Sequence, residues 1–597
     1  MNKDLYPRPQ FIRDNYQLLD GIWQFSFDDN MQGIKEKWFN NFPKDSKQIL
    51  VPFVFESEKS GIHDLAFHDH VWYQKSLLIP KDWNQQVILN FEAVDYITRV
   101  YINGQFVGEN VGGYNRFSFD ITPYLNYKLE NLVVYVSDPS TEERIPRGKQ
   151  SWVPKHHSIW YPRNTGIWQS VWMEPIHQES IKRLKINSDI DEGSITLELE
   201  TSTQNKKTLE LIIKDGDEVI VSDKYLVSDE LKRNIQIWNH KVFYTNQHHH
   251  GKTWSPENPH LYNIEFNLYM DNVLTDHVKS YFGMRKIHTE NGMVYLNNRP
   301  YYLKLVLDQG YFKDGLLTAS SDEALKQDIE LAKQMGFNGA RKHQKVESER
   351  YFYHADKLGF IVWSELPATA SFDQKFVPEI INQWTKMIER DINHPSIIAW
   401  VPINESWGVP NINHDYIQQN YALTLYHLTK TLDPTRLVIS NDGWELVTTD
   451  IAAIHNYSHG KLHDKTQHEI FNASLKTKEA ILNHYPANRN IFANGFEYDG
   501  EPIMLTEFGG ISFTNTHENG WGYSHVDNPD VFLEEYERIL KAIQNSEAIV
   551  GFCYTQLTDV EQEINGLLNY DRSEKVSLEK IKLINDQVSF MISKNKK

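Results

Sequence analysis

Residues 397–407 read IIAWVPINESW, an apolar run that ends abruptly in the polar residues Asn404 and Glu405. Residues 503–510, IMLTEFGG, repeat this pattern and place Glu507 after the apolar run. Runs that are apolar along their whole length predict strands buried on both faces, as in a parallel sheet covered by helices. In a closed barrel of such strands, functional groups lie at the strand ends of the C-terminal face. Glu405 and Glu507 are therefore the first candidates for a functional site.

Eight apolar runs of this kind follow residue 286, and segments with helical spacing separate them. The first of these segments begins with a capping signal at residues 320–323 and ends at Gly336. Eight strands with interleaved helices predict a (β/α)8 TIM barrel over residues 287–597, and no glycine-rich nucleotide-binding motif accompanies the runs. The predicted strands are residues 302–307, 338–341, 360–363, 397–403, 436–440, 451–455, 503–506 and 549–554.

The chain before the barrel has the period-2 alternation of strands that are buried on one face. Residues 96–102 alternate in this way and run into Asn103-Gly104, a pair suited to a tight hairpin turn. Residues 262–270 show the same alternation in a second strand-rich region. We therefore expect two all-β sandwich domains, residues 1–176 and 177–286, ahead of the barrel.

Composition excludes several classes of protein. The 597 residues carry 61 Lys and Arg against 80 Asp and Glu, a net charge of −19, so nucleic acid and anionic membrane surfaces are poor partners. A single cysteine, Cys553, excludes a disulfide-stapled scaffold. The sequence contains no apolar stretch long enough to span a membrane, and its first residues lack the apolar core of a signal peptide. We expect a cytoplasmic protein.

A pair of carboxylates at strand ends of one barrel is the minimum equipment for cleaving a glycosidic bond. One carboxyl group, with a raised pKa, protonates the leaving oxygen, while the other attacks the anomeric carbon. Glu405 and Glu507 follow the fourth and the seventh predicted strands. The aromatic content of 13% adds flat surfaces on which a sugar ring can stack, although most of these rings are expected to pack the sandwich cores.

Motifs in three regions of the chain carry a resemblance that covers nearly its full length. In order, they are 19–23 (LDGIW), 166–172 (GIWQSVW), 254–262 (WSPENPHLY), 282–285 (FGMR), 336–341 (GFNGAR), 404–406 (NES) and 506–509 (TEFG). Together they resemble glycoside hydrolase family 2, the β-galactosidase and β-glucuronidase family. The resemblance implies a jelly-roll sugar-binding domain, an immunoglobulin-like sandwich and a catalytic TIM barrel.

The resemblance also implies a mechanism and the residues that perform it. It assigns an exo-acting, retaining β-glycosidase in which Glu405 is the acid/base and Glu507 the nucleophile. Asn404 would bind the sugar 2-hydroxyl, and Tyr457 would hydrogen-bond the nucleophile. The expected partner is a small carbohydrate, a terminal β-glycoside, and no cofactor is needed because proton transfer and a covalent glycosyl ester suffice. Homo-oligomer formation stays open.

Three departures from the family pattern bear on which sugar is bound. Where well-known members have an aspartate before the second jelly-roll motif, this chain has Trp160. The barrel histidine that normally follows the arginine by three residues has either moved to His343 or been replaced by Gln344. The Asn-x-Lys pair that marks glucuronidases is missing after the eighth predicted strand. The same residue pattern occurs at 595–597, where we expect a frayed end of the chain.

Two sets of residues are predicted to contact the sugar. Arg341, Lys342 and Lys345 form a basic cluster that could bind a uronate carboxylate, most securely through the arginine. The further candidates, for hydroxyl binding or for stacking, are Asp308, Glu365, His343, Trp160 and Trp407, with Asp559 and Glu561 less certain. The substrate thus stays open between a β-galactoside and a β-uronide, that is, a β-galacturonide or a β-glucuronide.

Two rival functions and one alternative site remain. A carbohydrate-binding protein with an inactive barrel would share the fold, and a transglycosidase would share every catalytic residue. The run of histidines at 248–250 invites a metal site, but consecutive histidines without a nearby carboxylate predict a solvated loop. We therefore expect no metal site there.

Overall fold

The computed structural model describes residues 6–238, 252–513 and 520–590. The histidine run 248–250 and residues 595–597 lie outside these ranges. The first unit is a sandwich of antiparallel sheets whose facing sides share one apolar core. Its larger sheet has the strand order Lys47–Val51, Gly21–Phe27, His70–Leu78, Leu129–Ser137, Ile97–Ile102 and Gln105–Val111. The smaller has Gln17–Leu18, Val171–Ile176, Gln86–Phe91 and Phe117–Asp120, and Val94–Asp95 pairs with Gly166–Ile167.

The predicted hairpin is present in the larger sheet. Asn103 and Gly104 join its last two strands with φ angles of 51° and 78°, the left-handed conformation that tight hairpin turns require. Asn103 accepts a hydrogen bond from the backbone of Asn131, which ties the turn to the neighbouring strand. The alternation that predicted this strand pair therefore reports a real inward and outward pattern.

The second unit is also a sandwich, with a separate apolar core. Its three-stranded sheet contains Ile181–Asp189, Ser194–Thr201 and Glu230–Gln236, and its four-stranded sheet contains Glu218–Val227, Lys207–Asp215, Tyr262–Met270 and Val273–Phe282. Two small sheets lead towards the barrel. One pairs Trp254–Ser255 with Asn258–Pro259, and the other is a meander of Ile287–Glu290, Met293–Leu296 and Arg299–Pro300.

Eight parallel strands form the third unit, and all of them lie where apolar runs predicted them. They are β1 (Leu303–Asp308), β2 (Gly339–Lys342), β3 (Ile361–Glu365), β4 (Ile397–Val401), β5 (Leu437–Val438), β6 (Ala452–His455), β7 (Ile503–Glu507) and β8 (Ile549–Tyr554). Strand β1 pairs with both β2 and β8, and an isolated bridge between Gly443 and Ile454 joins the β5 side to β6. The barrel is thereby closed.

Helices cover the outside of the barrel. They are α1 (Asp322–Gln334), α2 (Glu349–Leu358), α3 (Val377–Asp391), α4 (Tyr416–Leu432), α5 (Lys465–Lys476), α6 (Lys478–Leu482), α7 (Pro529–Gln544) and α8 (Leu578–Gln587). Ser321 caps α1 by accepting from the backbone of Ala324, as the capping signal predicted. A short parallel pair, Ile511–Ser512 with Ser524–His525, follows β7. The described residues contain no helix long and apolar enough to cross a membrane.

The first sandwich reaches the C-terminal end of the barrel, and this contact positions the site. Tyr161, from the loop before its last strands, donates to Glu563 beyond β8 over 2.6 Å. A second contact joins Arg116 to Glu349 at the start of α2 over 2.6 Å. The architecture is thus the predicted one: two β-sandwiches followed by a TIM barrel whose mouth is partly walled by the first sandwich.

Candidate active site

Glu405 lies just beyond β4 in a tight turn that faces the barrel mouth. Glu405 and Ser406 both have positive φ angles, 52° and 59°, which are uncommon for residues with a Cβ atom. The turn is held because Asn441 accepts from the Ser406 backbone over 2.9 Å, and the Ser406 hydroxyl donates to Glu445 over 2.6 Å. The strained turn therefore fixes the direction of the Glu405 carboxylate.

Glu507 is the last residue of β7, and two donors hold its carboxylate from different sides. Arg341 Nη1 lies 3.1 Å from Oε1, and the Tyr457 hydroxyl lies 2.7 Å from Oε2. The tyrosine is two residues beyond β6, and its ring stacks on that of Tyr523 with centroids 3.6 Å apart. Two such donors on different oxygens fix the direction of the carboxylate.

Arg341 lies beneath both carboxylates, at the centre of a buried charge network. Its side chain is fully buried and pairs with Glu365 over 2.7 Å and with Asp442 over 3.2 Å, besides Glu507. Its Nη2 also donates to the side-chain oxygen of Asn404 over 3.1 Å. Since these partners occupy the guanidinium, Arg341 organises the site from below and is not free to bind a sugar carboxylate.

His455, the last residue of β6, lies between the two glutamates. Its Nδ1 is 2.7 Å from Glu405 and 3.5 Å from Glu507, and its Nε2 is 3.0 Å from Asp442. Burial would lower the pKa of this histidine, but Glu507 and the hydrogen bonds to Asp442 and Glu405 raise it from 6.5 to about 10. Burial would raise the pKa of Glu405, and the hydrogen bond from His455 holds it below 4.5 instead.

The two carboxylates are close enough to act on one bond. An oxygen of Glu405, an oxygen of Glu507 and a nitrogen of His455 all lie within 4.8 Å of one another. Carboxyl groups about 5 to 5.5 Å apart suit attack by one of them on the anomeric carbon, whereas a larger gap would admit a water. Such a triad could also ligate a metal, but both nitrogens of His455 face carboxylate oxygens and so carry protons.

The three parts of the chain match three descriptions of one family. Residues 16–173 match the sugar-binding domain of the glycosyl hydrolases family 2, residues 179–285 match its central domain, described as glycosyl hydrolases family 2, and residues 287–590 match its TIM barrel domain. The chain belongs to glycosyl hydrolase family 2.

Several known proteins resemble this one, over between about half and nearly all of their own length. A β-glucuronidase of Streptococcus agalactiae is 23% identical over 94% of this chain and 92% of its own. A β-galactosidase of Thermoanaerobacter pseudethanolicus is 29% identical over 58% of this chain and 46% of its own. A β-glucuronidase from Ruminococcus gnavus in complex with D-glucuronic acid has the same fold, with a TM-score of 0.77 at 22% identity, covering 98% of this chain and 99% of that one. This protein is therefore a glycoside hydrolase.

Some of the residues predicted for this family 2 site do lie together. Besides the two glutamates and Arg341, the structure brings Asn404, Tyr457 and His343 to the barrel mouth. The side-chain nitrogen of Asn404 has no partner among the described residues, which leaves it able to donate to a sugar hydroxyl. His343 pairs with Glu365 over 2.9 Å, whereas the Gln344 side chain accepts from the backbone of Ala368. Of these two residues, His343 is the one whose side chain contacts a carboxylate of the Arg341 network.

Asp308 and Lys342 lie in a different cluster. Lys342 follows Arg341 on β2, so its side chain points to the opposite side of the strand. It pairs with Asp308 over 2.9 Å and with Glu347 over 2.7 Å, and Lys345 pairs with the same Glu347. The structure therefore places only Arg341 of the predicted basic cluster beside Glu507, and sugar binding by Lys342, Lys345 and Asp308 stays a prediction without a contact to support it.

The predicted aromatic residues form a wall where the first sandwich meets the barrel. Trp160 packs edge-on against Trp407, two residues after Glu405, with ring centroids 4.8 Å apart, and Trp152 adds a third ring 4.7 Å from Trp160. The ammonium of Lys149 lies 5.4 Å from the centroid of the Trp160 ring. Lys149 is 7% exposed and has no ion pair among the described residues.

Sequence reasoning missed three members of this site: His455, Asp442 and Lys149. His455 could have been found, because it ends a predicted strand directly before the motif that contains Tyr457. Asp442 could have been found in the same way, because it is a polar residue that follows strand β5. Lys149 carried no usable signal, since it belongs to a loop of the first sandwich that only the folded chain brings to the barrel.

Proposed function

We propose that this family 2 enzyme is a retaining exo-β-glycosidase in which Glu405 is the acid/base and Glu507 the nucleophile. The observation that carries the proposal is the separation of their carboxyl oxygens, less than 4.8 Å. That distance supports direct attack by Glu507 on the anomeric carbon, because an inverting enzyme needs a gap of about 6.5 to 9.5 Å for its water.

Each contact in the site supports one role in a double displacement. Glu507, held by Arg341 and Tyr457, attacks the anomeric carbon while Glu405 passes a proton to the leaving oxygen. Asn404 offers its amide to the 2-hydroxyl, where a hydrogen bond strengthens as charge develops on the ring. Glu405 then deprotonates a water, which attacks the glycosyl ester and releases the sugar with its configuration retained.

A β-glucuronide is the first substrate candidate. Relatives over nearly the whole chain are named β-glucuronidases, and a neighbouring structure holds D-glucuronic acid. In this chain Arg341 is occupied and Lys342 points away, so Lys149 is the cation that supports an acidic sugar. It lies beside Trp160, and its charge contributes to lowering the pKa of Glu405. A lysine there could pair with a uronate carboxylate.

A neutral β-galactoside is the second candidate, and Glu563 favours it. This carboxylate lies where glucuronidases are expected to carry their Asn-x-Lys pair, and it accepts from Tyr161 over 2.6 Å and from Asn565 over 3.0 Å. Burial raises the pKa of Glu563 and the charge of Lys149 opposes that rise, so the lysine already has a carboxylate nearby. A further carboxylate near the site disfavours an acidic sugar.

The test is a panel of nitrophenyl β-glycosides that includes glucuronide, galacturonide, galactoside and glucoside, assayed with wild type, Glu507→Ala and Glu497→Ala. Glu497 is exposed and lies ten residues before the nucleophile, so it serves as the matched control. We expect turnover of at least one glycoside by wild type and the control, and a fall of at least about 10³-fold in Glu507→Ala. Near wild-type activity of Glu507→Ala would contradict the nucleophile assignment.

Two further readouts separate the rivals. NMR of the first-formed anomer tests retention, and inversion would overturn the mechanism. Sugar binding without turnover across the panel would indicate an inactive carbohydrate-binding protein, and transfer to an alcohol acceptor in preference to water would indicate a transglycosidase. Cytoplasmic residence and homo-oligomer formation stay predictions.

Lys149→Met tests the acidic substrate directly. If Lys149 pairs with a uronate carboxylate, kcat/KM for the glucuronide falls by about 10- to 100-fold and that for the galactoside changes by less than about 3-fold. Lys149→Arg keeps the charge and should retain most of the glucuronide activity. An equal fall for both glycosides would mean that Lys149 serves Glu405 and Glu563 rather than the sugar.

A further inference from the structure

His455 makes the only side-chain hydrogen bond that Glu405 has among the described residues. The imidazole is 1% exposed, and its second nitrogen is held by Asp442 over 3.0 Å. Asp442 in turn accepts from the Thr506 hydroxyl over 2.5 Å. The histidine is therefore fixed in one orientation, with Nδ1 aimed at Glu405.

Four charged groups face this imidazole. Three are the carboxylates of Glu405, Glu507 and Asp442, and the fourth is the guanidinium of Arg341, whose Nη1 lies 3.4 Å from Nε2. The carboxylates prevail over burial and over the guanidinium, so the pKa of His455 rises to about 10. At neutral pH the histidine is an imidazolium and Glu405 is a carboxylate.

This resting state lacks the proton that a general acid needs on Glu405. We propose that His455 is a positioning residue that stores this proton, with Asp442 holding the imidazole, and that it supplies Glu405 during cleavage. The proposal rests on the proposed glycosidase function, and it adds a residue to the acid/base machinery. It also accounts for a buried charge between the two glutamates, which would otherwise be a costly arrangement.

The protons and charges balance through one turnover. In the first step the Nδ1 proton moves to Glu405 and on to the leaving oxygen, the glycosidic bond breaks, and Glu507 forms an ester with the anomeric carbon. His455 is then neutral, and it still donates its Nε2 proton to Asp442 in a hydrogen bond. In the second step water attacks the ester, Glu405 takes its proton and returns it to Nδ1, and Glu507 leaves as a carboxylate. The summed net charge of Glu405, His455 and Glu507 is the same throughout.

The test compares two leaving groups in His455→Gln, using the sugar that the panel identifies. A dinitrophenyl glycoside needs little proton donation, whereas an alkyl glycoside depends on it. We expect kcat for the alkyl glycoside to fall by about 10²-fold and that for the dinitrophenyl glycoside by less than about 3-fold. We also expect the alkaline limb of kcat to move down by about one pH unit or more, because Glu405 alone then holds the proton.

Two further variants make the result decisive. Asp442→Asn should shift kcat in the same leaving-group-dependent way, because the imidazole loses its anchor. His459→Gln is the matched control: among the described residues the ring of this buried histidine, four residues along, bonds only the backbone carbonyls of Gly509 and Gly460, and its variant should show no dependence on the leaving group.

Equal falls for both glycosides in His455→Gln, or an unmoved alkaline limb, would overturn the proposal for His455. Retained dinitrophenyl turnover also shows that the variant has folded. The glycosidase function has its own test, because Glu507→Ala must lose turnover of both substrates. If Glu507→Ala loses turnover of both substrates as expected while His455→Gln shows no leaving-group effect, only the proposed role of His455 is wrong.

Discussion

Tyr457 contributes to the site through one atom, its phenol oxygen, which lies 2.7 Å from Glu507. Tyr457→Phe removes this donor and keeps the ring that stacks on Tyr523. Because a hydrogen bond to a charged group contributes about 1.5 to 3 kcal/mol, kcat/KM should fall by about 10- to 100-fold. Arg341 still holds Glu507, so we expect the variant to keep measurable activity.

Steady-state kinetics and a thermal melt check this prediction together. Tyr498→Phe is the control, since its hydroxyl bonds the backbone of Glu501 and lies outside the site. A melting temperature equal to wild type with an unchanged kcat/KM in Tyr457→Phe would show that the phenol has no part in holding Glu507.

Residues at strand ends were predictable, and residues whose role depends on the fold were not. The rule that polar groups follow barrel strands identified Glu405 and Glu507, the family resemblance added Tyr457, and the structure places all three together. The same rule assigned Asp308 to the site, but Asp308 pairs with Lys342 instead. Lys149 could not be predicted, because no local pattern tells which sandwich loop reaches the barrel.

At the scale of single elements, the end of helix α2 depends on Gly359. Its φ angle is 68°, and a Cβ atom there would lie 2.5 Å from the backbone oxygen of Pro256 in the second sandwich. Gly359→Ala should therefore destabilise the protein by about 1 to 3 kcal/mol, through the left-handed backbone and the clash together.

Gly216→Ala is the matched control for this change. Its φ angle is 59°, but nothing lies within 4 Å of the added Cβ atom, so it isolates the backbone contribution. Chemical denaturation of the two variants gives the difference. Equal losses of unfolding free energy would show that the contact with Pro256 contributes nothing.

Helix bounds followed the sequence more closely than strand bounds. Helix α4 was predicted at residues 416–432 and lies there, because Asp433-Pro434 cannot continue it. Strand β4 ends at Val401, two residues early, since Pro402 has no N–H for the ladder. Strand β5 shrinks to two residues because the Asp450 side chain takes the N–H of Val438 over 2.8 Å. Such side-chain substitutes for ladder bonds leave no pattern in a single sequence.

For the whole molecule, buried ion pairs set the response to acid. Burial would raise the pKa of Glu347, but Lys342 and Lys345 lower it from 4.5 to about 2, and Arg436 similarly lowers the pKa of Asp433 from 3.8 to about 2. Carboxyl groups with a depressed pKa stabilise the fold above their unfolded pKa and lose that contribution as pH falls towards 2.

The contribution of these two carboxyl groups to stability should therefore be nearly constant from pH 7 to about 5 and be lost progressively below about 4.5. Glu347→Gln should melt lower than wild type at pH 7, since it leaves two buried lysines without their carboxylate, and its melting temperature should fall less between pH 5 and 3. Parallel melting curves for the two proteins across that range would contradict the assignment to Glu347.

The order of two sandwiches and a barrel was predictable from periodicity alone, because each unit has its own repeat of apolar residues. The docking of the units was not, since it depends on contacts such as Tyr161 with Glu563, 402 residues apart in the chain.

Lys149, Trp152 and Trp160 form a wall over the barrel mouth, and they belong to a different domain from the two carboxylates. In the proposed mechanism the barrel supplies the bond-breaking groups, while a loop of the first sandwich supplies residues proposed to contact the sugar. Mutations in that loop are therefore free to change which glycoside is accepted without disturbing Arg341 or the carboxylates above it. We expect substrate range to diverge among descendants of this protein faster than chemistry does, and to do so in the segment from 149 to 161.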